Sequence, residues 1–135
     1  MAFIISNAWI SLDGNDFSPY RLIEQTGLSF SQVTEKGITL LSAGPYRGQP
    51  APYGSAISEA IPSIEDAIIE DQLISLLSDL HSKIGNQLGD FNIESIRVWL
   101  LVRYSGDGQH GFEIGPDILR LIGQLGATLC IEYMF

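Results

Sequence analysis

Few residues in this 135-residue sequence are of the types that carry out chemistry. His110 lies in the glycine-rich run 105–111, three residues after Asp107. A loop histidine beside a carboxylate can act as a general acid or base. Runs of Gly, Asp and Gln are also ordinary turn sequences. A small-molecule-binding or hydrolytic loop around Asp107 and His110 is therefore one alternative, and a simple turn is the other.

Cys130 is the single cysteine, and it could serve as a nucleophile only if a base activated an exposed thiolate. It lies between Leu129 and Ile131 in a strand-like segment, which favours a packed structural role. A zinc site needs about four ligands, whereas His81, His110 and Cys130 stand in separate segments. We expect no catalytic residue, no metal and no cofactor. A lone cysteine also excludes an internal disulfide and is typical of a reducing cytoplasm.

Acidic side chains are concentrated in the segment 59–79, and no Lys or Arg follows until Lys83. The whole chain has 16 acidic and 7 basic residues, a formal net charge of −9. Such a field repels nucleic acid and attracts basic partners, although it can also serve solubility alone. Adjacent carboxylates point to different sides of a helix and cannot converge on one bond. The candidate partner-binding residues are Glu59, Glu65, Asp66, Glu70, Asp71 and Asp79.

A second candidate surface comes from the alternation of residue types over 96–104. If the apolar residues of this segment face helices, Trp99 points outward between Arg97 and Arg103, with Trp9 as a neighbour. Trp and Arg are enriched at binding hot spots. Another part of the chain or a second copy could instead cover this face. The latter would make the chain a structural domain that homodimerises.

Period-two alternation predicts a first strand over 3–12. In a regular strand, Ile4 and Ala8 lie on one side, and Ile5 and Trp9 lie on the other.

Capping residues predict three helices. Ser18 before Pro19 indicates a short helix over 18–26, and Ser63 begins a longer helix that runs to about residue 87. The last helix runs over 116–126 and ends at a glycine. The core-facing stripe of the second helix consists of Leu73, Leu77, Leu80, Ile84 and Leu88.

Further strands are predicted over 38–41, 96–104, 112–114 and 127–134, and the Pro- and Gly-rich stretch 44–62 is predicted to be a loop. This order predicts one α+β domain over 1–135. Its architecture would be a two-layer sandwich, a mixed or mostly antiparallel sheet with helices packed on one face.

The start of the sequence shows no secretory signal, and the longest apolar run, 98–102, is far shorter than the roughly 20 residues that span a bilayer. We therefore expect a cytoplasmic protein without membrane association. A composition of 45% hydrophobic and 17% charged residues is typical of a folded domain.

Several motifs together resemble the bacterial domain-of-unknown-function family 4279. They are Leu12, Asp16-Phe17-Ser18-Pro19, Thr26-Gly27-Leu28, Gln72-Leu73 through Leu80, Ile93-Glu94-Ser95-Ile96, Gly111-Phe112-Glu113-Ile114, and Pro116 through Leu125-Gly126 to Tyr133. These positions are caps, turns and core residues, so the resemblance implies a fold more than an activity. Similar small acidic bacterial proteins include immunity proteins encoded beside toxins. The leading hypothesis is therefore a non-enzymatic protein-binding module, an immunity protein that neutralises a basic toxin.

Overall fold

The computed structural model describes residues 3–41, 44–45, 47–62, 66–104 and 114–134. Three helices and six strands form in these residues, and the predicted α+β class is confirmed. In chain order they are β1 (Phe3–Gly14), α1 (Pro19–Thr26), β2 (Gln32–Thr34), β3 (Gly54–Ile57), β4 (Ile61–Pro62), α2 (Asp66–Ile84), β5 (Ser95–Tyr104), α3 (Pro116–Leu125) and β6 (Thr128–Met134).

The strands form one mixed sheet in the order β2-β3-β1-β5-β6, with β4 paired to β1 beside β3. All the pairings are antiparallel except that of β5 with β6. These two parallel strands are joined through α3, because parallel neighbours need a long crossover connection. The predicted mixed sheet is therefore present.

One apolar cluster joins the helices to one face of the sheet. Leu22 of α1, Leu77 of α2 and Ile118 of α3 are buried in the same cluster as Ile10 of β1 and Val98 of β5. We call this helix-covered side the inner face and the opposite side the outer face. The predicted stripe of α2 is confirmed for Leu73, Leu77, Leu80 and Ile84, which are all buried.

The alternation of β1 is interrupted near its start. Ile5 pairs with Val102 and Asn7 pairs with Leu101, so Ser6 is an extra residue in β1, a β-bulge. The bulge brings Ile5 onto the inner face, where its side chain is only 7% exposed. The prediction that Ile5 lies on the same face as Trp9 is wrong for this reason.

Two predictions about the segment before α2 are also wrong. Residues 38–41 form no strand, only an isolated bridge between Thr39 and Pro50, and the strand in this part of the chain is β2. The predicted loop 44–62 contains β3 and β4. Its glycine at position 54 allows a close approach, since a Cβ there would collide with the carbonyl oxygen of Phe17.

The helix ends follow their capping signals. The Ser18 hydroxyl accepts a hydrogen bond from the Arg21 N–H at 3.3 Å, and Gly27 has the left-handed conformation that ends α1. Gly126 ends α3 in the same way. The helix α2 ends at Ile84, slightly earlier than predicted, and the predicted start at Ser63 and strand 112–114 fall largely outside the described residues. None of the described helices is both long enough and apolar enough to cross a bilayer.

Candidate functional site

A groove runs between α2 and the segment that connects β3 to β4. Its volume is about 490 Å³. Glu59 reaches it from the connecting segment and Asp79 from α2, so two of the six predicted acidic residues converge here. We call this feature the acidic groove, and its lining consists of Ser29, Ser58, Glu59, Ile61, Gln72, Ser75, Leu76 and Asp79.

The helix α2 contributes to the acidic groove with residues that follow a helical spacing. Gln72, Ser75, Leu76 and Asp79 are separated by three and four residues, and they share one side of the helix. This side adjoins the buried stripe that contains Leu77. Two apolar side chains, Ile61 and Leu76, line the groove together with six polar or charged residues.

The remaining acidic residues of the predicted set do not all share this surface. Glu70 and Asp79 are nine residues apart, about two and a half helical turns, and so lie on opposite sides of α2. Asp71 is exposed on the solvent side. Glu65 and the side chain of Asp66 lie outside the described residues. The structure thus brings together Glu59 and Asp79 and separates Glu70 from them.

Ser58 fixes the wall of the groove. Its hydroxyl accepts a hydrogen bond from the Ile10 N–H at 2.8 Å, and its own N–H donates to the Ile10 carbonyl at 2.8 Å. Both residues are buried. These two bonds hold the chain against β1 immediately before Glu59.

Asp79 forms an ion pair with Lys83. The Lys83 ammonium lies 3.5 Å from the Asp79 carboxylate, one helical turn further along α2. Both side chains are at least a third exposed, so the ion pair is weak and open to competition from another cation. Glu59 is an exposed carboxylate for which no ion pair is seen within the described part of the chain.

The predicted Trp and Arg residues lie on the outer face, where the two tryptophans are in contact. Trp9 and Trp99 are directly paired between β1 and β5, and their rings stack with centroids 6.0 Å apart and planes 8° from parallel. The Trp99 indole N–H donates to the Ser11 hydroxyl at 3.1 Å. Both rings are half-buried, and the expected juxtaposition of Trp9 with Trp99 is confirmed.

The two arginines of this face differ in their surroundings. Arg97 donates to the Asp13 carboxylate at 2.8 Å, next to a small polar cleft of about 260 Å³. Arg103 is exposed near the other end of β5. Because Arg97 is already paired with Asp13, its positive charge is less available to a partner protein. Arg103 is left as the more available cation.

The candidates for catalysis gain no support from the described residues. Asp107 and His110 lie outside them. Cys130 is half-buried on the outer face, opposite Trp99 in the pairing of β6 with β5. In the described ranges, no three His, Cys, Asp or Glu side chains are grouped so that they could hold a metal ion.

Sequence reasoning missed most of the groove. Ser29, Gln72 and Ser75 were not among the predicted binding residues, and Ser58 lay in a segment that was predicted to be a loop. A usable signal was the polar spacing of Gln72, Ser75 and Asp79 beside the leucine stripe, which marks a second, half-exposed side of α2.

Comparison of the chain with known protein families, with curated proteins and with solved structures gave no match. The resemblance to family 4279 therefore stays a prediction.

Proposed function

We propose that this chain is a non-enzymatic protein-binding domain that recognises a basic segment of its partner in the acidic groove. The observation that supports the proposal is the convergence of Glu59 and Asp79 on one groove from different elements. A cation entering between them would meet carboxylates from both walls. Charge-assisted hydrogen bonds of this kind are stronger than bonds between neutral groups.

The rest of the lining suits a lysine or arginine side chain. Ile61 and Leu76 offer apolar surface to the methylene stem of such a side chain, whose charged head stays at the rim. Gln72 and Ser75 offer hydrogen bonds to a peptide backbone. A volume of about 490 Å³ is within the range of ordinary ligand pockets.

The charge of the whole chain supports the same kind of partner. A net charge of −9 attracts a positively charged protein over distances of about the Debye length, roughly 8 to 10 Å at ordinary salt. Association should therefore be fast at low salt and should slow as salt is added. Glu70 and Asp71, which do not line the groove, contribute to this steering in the proposal.

The finer proposal is that the partner is a basic toxin and that the chain acts as its immunity protein in the cytoplasm. Binding in the groove would then cover basic residues that the toxin needs for its own activity. Co-expression with the product of the neighbouring gene tests this. Stable complex formation that abolishes the toxicity supports it, and a neighbouring product that does not bind contradicts it.

The groove itself can be tested with a defined probe, a tetralysine peptide. We expect the amide resonances around Glu59, Gln72, Ser75 and Asp79 to shift in two-dimensional NMR spectra as the peptide is added. Replacing both carboxylates, in Glu59→Gln with Asp79→Asn, should weaken binding by about thirtyfold or more, since each of the two lost charged hydrogen bonds costs about 1 kcal/mol or more.

A matched control removes the same charge elsewhere. Glu24 and Asp90 are exposed acidic residues on α1 and before β5, outside the groove lining. Glu24→Gln with Asp90→Asn should change peptide affinity much less than the groove variant does. Equal weakening by the two double variants would show that the peptide responds to net charge only.

Lys83 provides a test of opposite sign. Because Lys83 partly neutralises Asp79, the Lys83→Ala variant should bind tetralysine more tightly than the parent chain does. Lys36→Ala, which removes a cation paired with Asp16, is the control for net charge. A gain in affinity that is the same for both variants would contradict a role for Asp79.

The outer face is a second candidate binding surface, and the stacked Trp9 and Trp99 favour it. Under this alternative, Arg103→Glu would abolish partner binding and the groove variants would not. The same partner and the same assay therefore separate the two surfaces.

A further inference from the structure

A polar cleft lies where β1 ends and where β3 and β5 begin. Its volume is about 260 Å³, slightly below the roughly 300 to 1,000 Å³ of ordinary ligand pockets, so it suits a small ligand. Its lining consists of Asp13, Gly14, Asn15, Tyr53, Glu94 and Arg97. None of these six residues lines the acidic groove. The polar cleft is therefore a candidate site that the proposed function does not use.

The polar side chains of the cleft come from segments whose backbones are fixed by hydrogen bonds. The Glu94 N–H donates to the Asp13 carbonyl at 2.9 Å, which ties the residue before β5 to the end of β1. The Phe17 N–H donates to the Gly14 carbonyl at 3.3 Å, so Asn15 belongs to a tight turn. A site that is formed in advance loses less conformational freedom when a ligand binds.

One pair of opposite charges in the cleft is already matched. Arg97 donates from Nη1 to Oδ2 of Asp13 at 2.8 Å, and neither Nη2 of Arg97 nor Oδ1 of Asp13 takes part in that bond. The guanidinium opposes the approach of a cation to Asp13, and the carboxylate opposes the approach of an anion to Arg97. Hydroxyl groups, in contrast, can donate to a carboxylate and accept from a guanidinium. The matched pair therefore favours a neutral ligand with hydroxyl groups over an ion.

The rest of the lining adds polar groups and one aromatic ring. The Asn15 amide can donate and accept hydrogen bonds, and the Glu94 carboxylate can accept them. Tyr53 is 43% exposed, so part of its ring offers an apolar surface beside these polar groups. A pyranose ring has the matching combination, because the C–H groups on its face are apolar while the hydroxyls around it donate and accept hydrogen bonds.

We propose that the polar cleft binds a neutral sugar. One pyranose ring lies against the ring of Tyr53, and its hydroxyls form hydrogen bonds with Asp13, Arg97 and Asn15. Glu94 supplies a further acceptor. A charged ligand would meet repulsion from one member of the matched pair, so the cleft selects a sugar over small ions.

The first test is a two-dimensional NMR titration of the full chain with the methyl glycosides of glucose, galactose and mannose. At least one of them should shift the amide resonances of Asn15, Gly54 and Glu94. We expect a dissociation constant of about 1 to 20 mM, because a ligand of this size makes few contacts. Methylammonium and acetate are the charged comparison probes, and both should bind more weakly. No binding of any glycoside up to about 100 mM would overturn the proposal, and so would tighter binding of either ion.

The second test concerns the aromatic ring. Tyr53→Ala should weaken glycoside binding about fivefold, whereas Tyr53→Phe, which keeps the ring, should retain most of the affinity. Tyr20→Ala is the matched control, because Tyr20 is 55% exposed on α1 and does not line the cleft. Equal affinities of Tyr53→Ala and Tyr20→Ala for the glycoside would contradict the contact with Tyr53.

The third test removes the matched charge. In Arg97→Gln the cleft keeps two carboxylates without the guanidinium, so glycoside binding should weaken about fivefold and methylammonium binding should strengthen. The side chain of Arg97 is 42% exposed, so we expect this variant to fold. Arg103→Gln is the control, since Arg103 is an exposed cation outside the lining. An unchanged preference for glycoside over methylammonium in Arg97→Gln would overturn the role of the matched pair.

Sugar binding and peptide binding can be tested on the same variants. Glu59→Gln with Asp79→Asn should bind the glycoside as the parent chain does, and Tyr53→Ala should bind tetralysine as the parent chain does. The two proposals therefore fail independently. Loss of glycoside binding in the groove variant would contradict a separate sugar site in the polar cleft.

Discussion

The backbone of Ile10 and the side chain of Ser58 are joined by a buried hydrogen bond of 2.8 Å, although the residues are 48 positions apart in the chain. The Ile10 N–H has left water on folding, and the Ser58 hydroxyl is its acceptor. A buried donor without a partner costs about 1 to 3 kcal/mol. The bond therefore stabilises both the end of β3 and the wall of the acidic groove.

Ser58→Ala should lower the free energy of unfolding by about 1 to 3 kcal/mol, because the Ile10 N–H loses its acceptor. Denaturant unfolding measures this. The control is Ser31→Ala, whose exposed hydroxyl donates to the Ile57 carbonyl at 3.2 Å. We expect a change below about 0.5 kcal/mol there. If both variants lowered the free energy of unfolding by similar amounts, the buried hydrogen bond of Ser58 would contribute no more stability than the exposed bond of Ser31.

Leu77→Ala should cost about 2 to 5 kcal/mol, because Leu77 is fully buried and its loss leaves a cavity between α2 and the sheet. The neighbouring Leu76 is only half-buried and lines the acidic groove, so Leu76→Ala should cost clearly less. Thermal or denaturant unfolding of the two variants gives the comparison. A loss below about 1 kcal/mol for Leu77→Ala would contradict the packing of α2 on the sheet.

Gly54→Ala should destabilise the chain by about 1 to 3 kcal/mol or prevent folding, because the new methyl group collides with the Phe17 carbonyl. Gly89→Ala is the control, since a Cβ at Gly89 meets nothing within 4 Å. That variant should stay within about 0.5 kcal/mol of the parent. If Gly54→Ala lowered the free energy of unfolding no more than Gly89→Ala does, the close approach of β3 to the Phe17 carbonyl would be contradicted.

Trp9 and Trp99 should be energetically coupled. A double-mutant cycle of Trp9→Leu and Trp99→Leu should give a coupling energy of about 0.5 to 1.5 kcal/mol, the usual value for an aromatic pair. A second cycle of Trp99→Leu with Tyr20→Leu serves as the control, because Tyr20 is exposed on α1. Coupling near zero in the first cycle would contradict the stacked arrangement.

Much of the fold could be predicted because long elements carry strong periodic signals. The leucine stripe of α2 and the alternation of β5 each extend over many residues, and both give the correct buried face. The short strand β3 carries almost no such signal, since its residues Gly54, Ser55 and Ala56 are small. It forms because Ala56 reaches the core and its backbone pairs with β1 and β2.

The bulge at Ser6 and the acidic groove were beyond prediction for related reasons. A bulge is defined by the partner strand, and the order of residues in β1 alone does not show which residue is extra. Glu59 and Asp79 were identified as acidic candidates, but their convergence depends on how β4 and α2 pack. The acidic run in the sequence therefore identified Glu59 and Asp79 as candidates, but it gave no reason to distinguish them from Glu70, which does not line the groove.

The pairing of β1 with β5 has a consequence for the order of folding. Ser11 and Trp99, which are bonded across this pair, are 88 residues apart. During synthesis from the N-terminus, β1 can pair with β3 long before β5 leaves the ribosome. The apolar residues on the inner side of β1 stay uncovered until α2, β5 and α3 have been synthesised, because the core forms with residues of those elements. Closing so long a loop is entropically costly, so we expect slow refolding and a lasting exposure of β1 that a chaperone could shield.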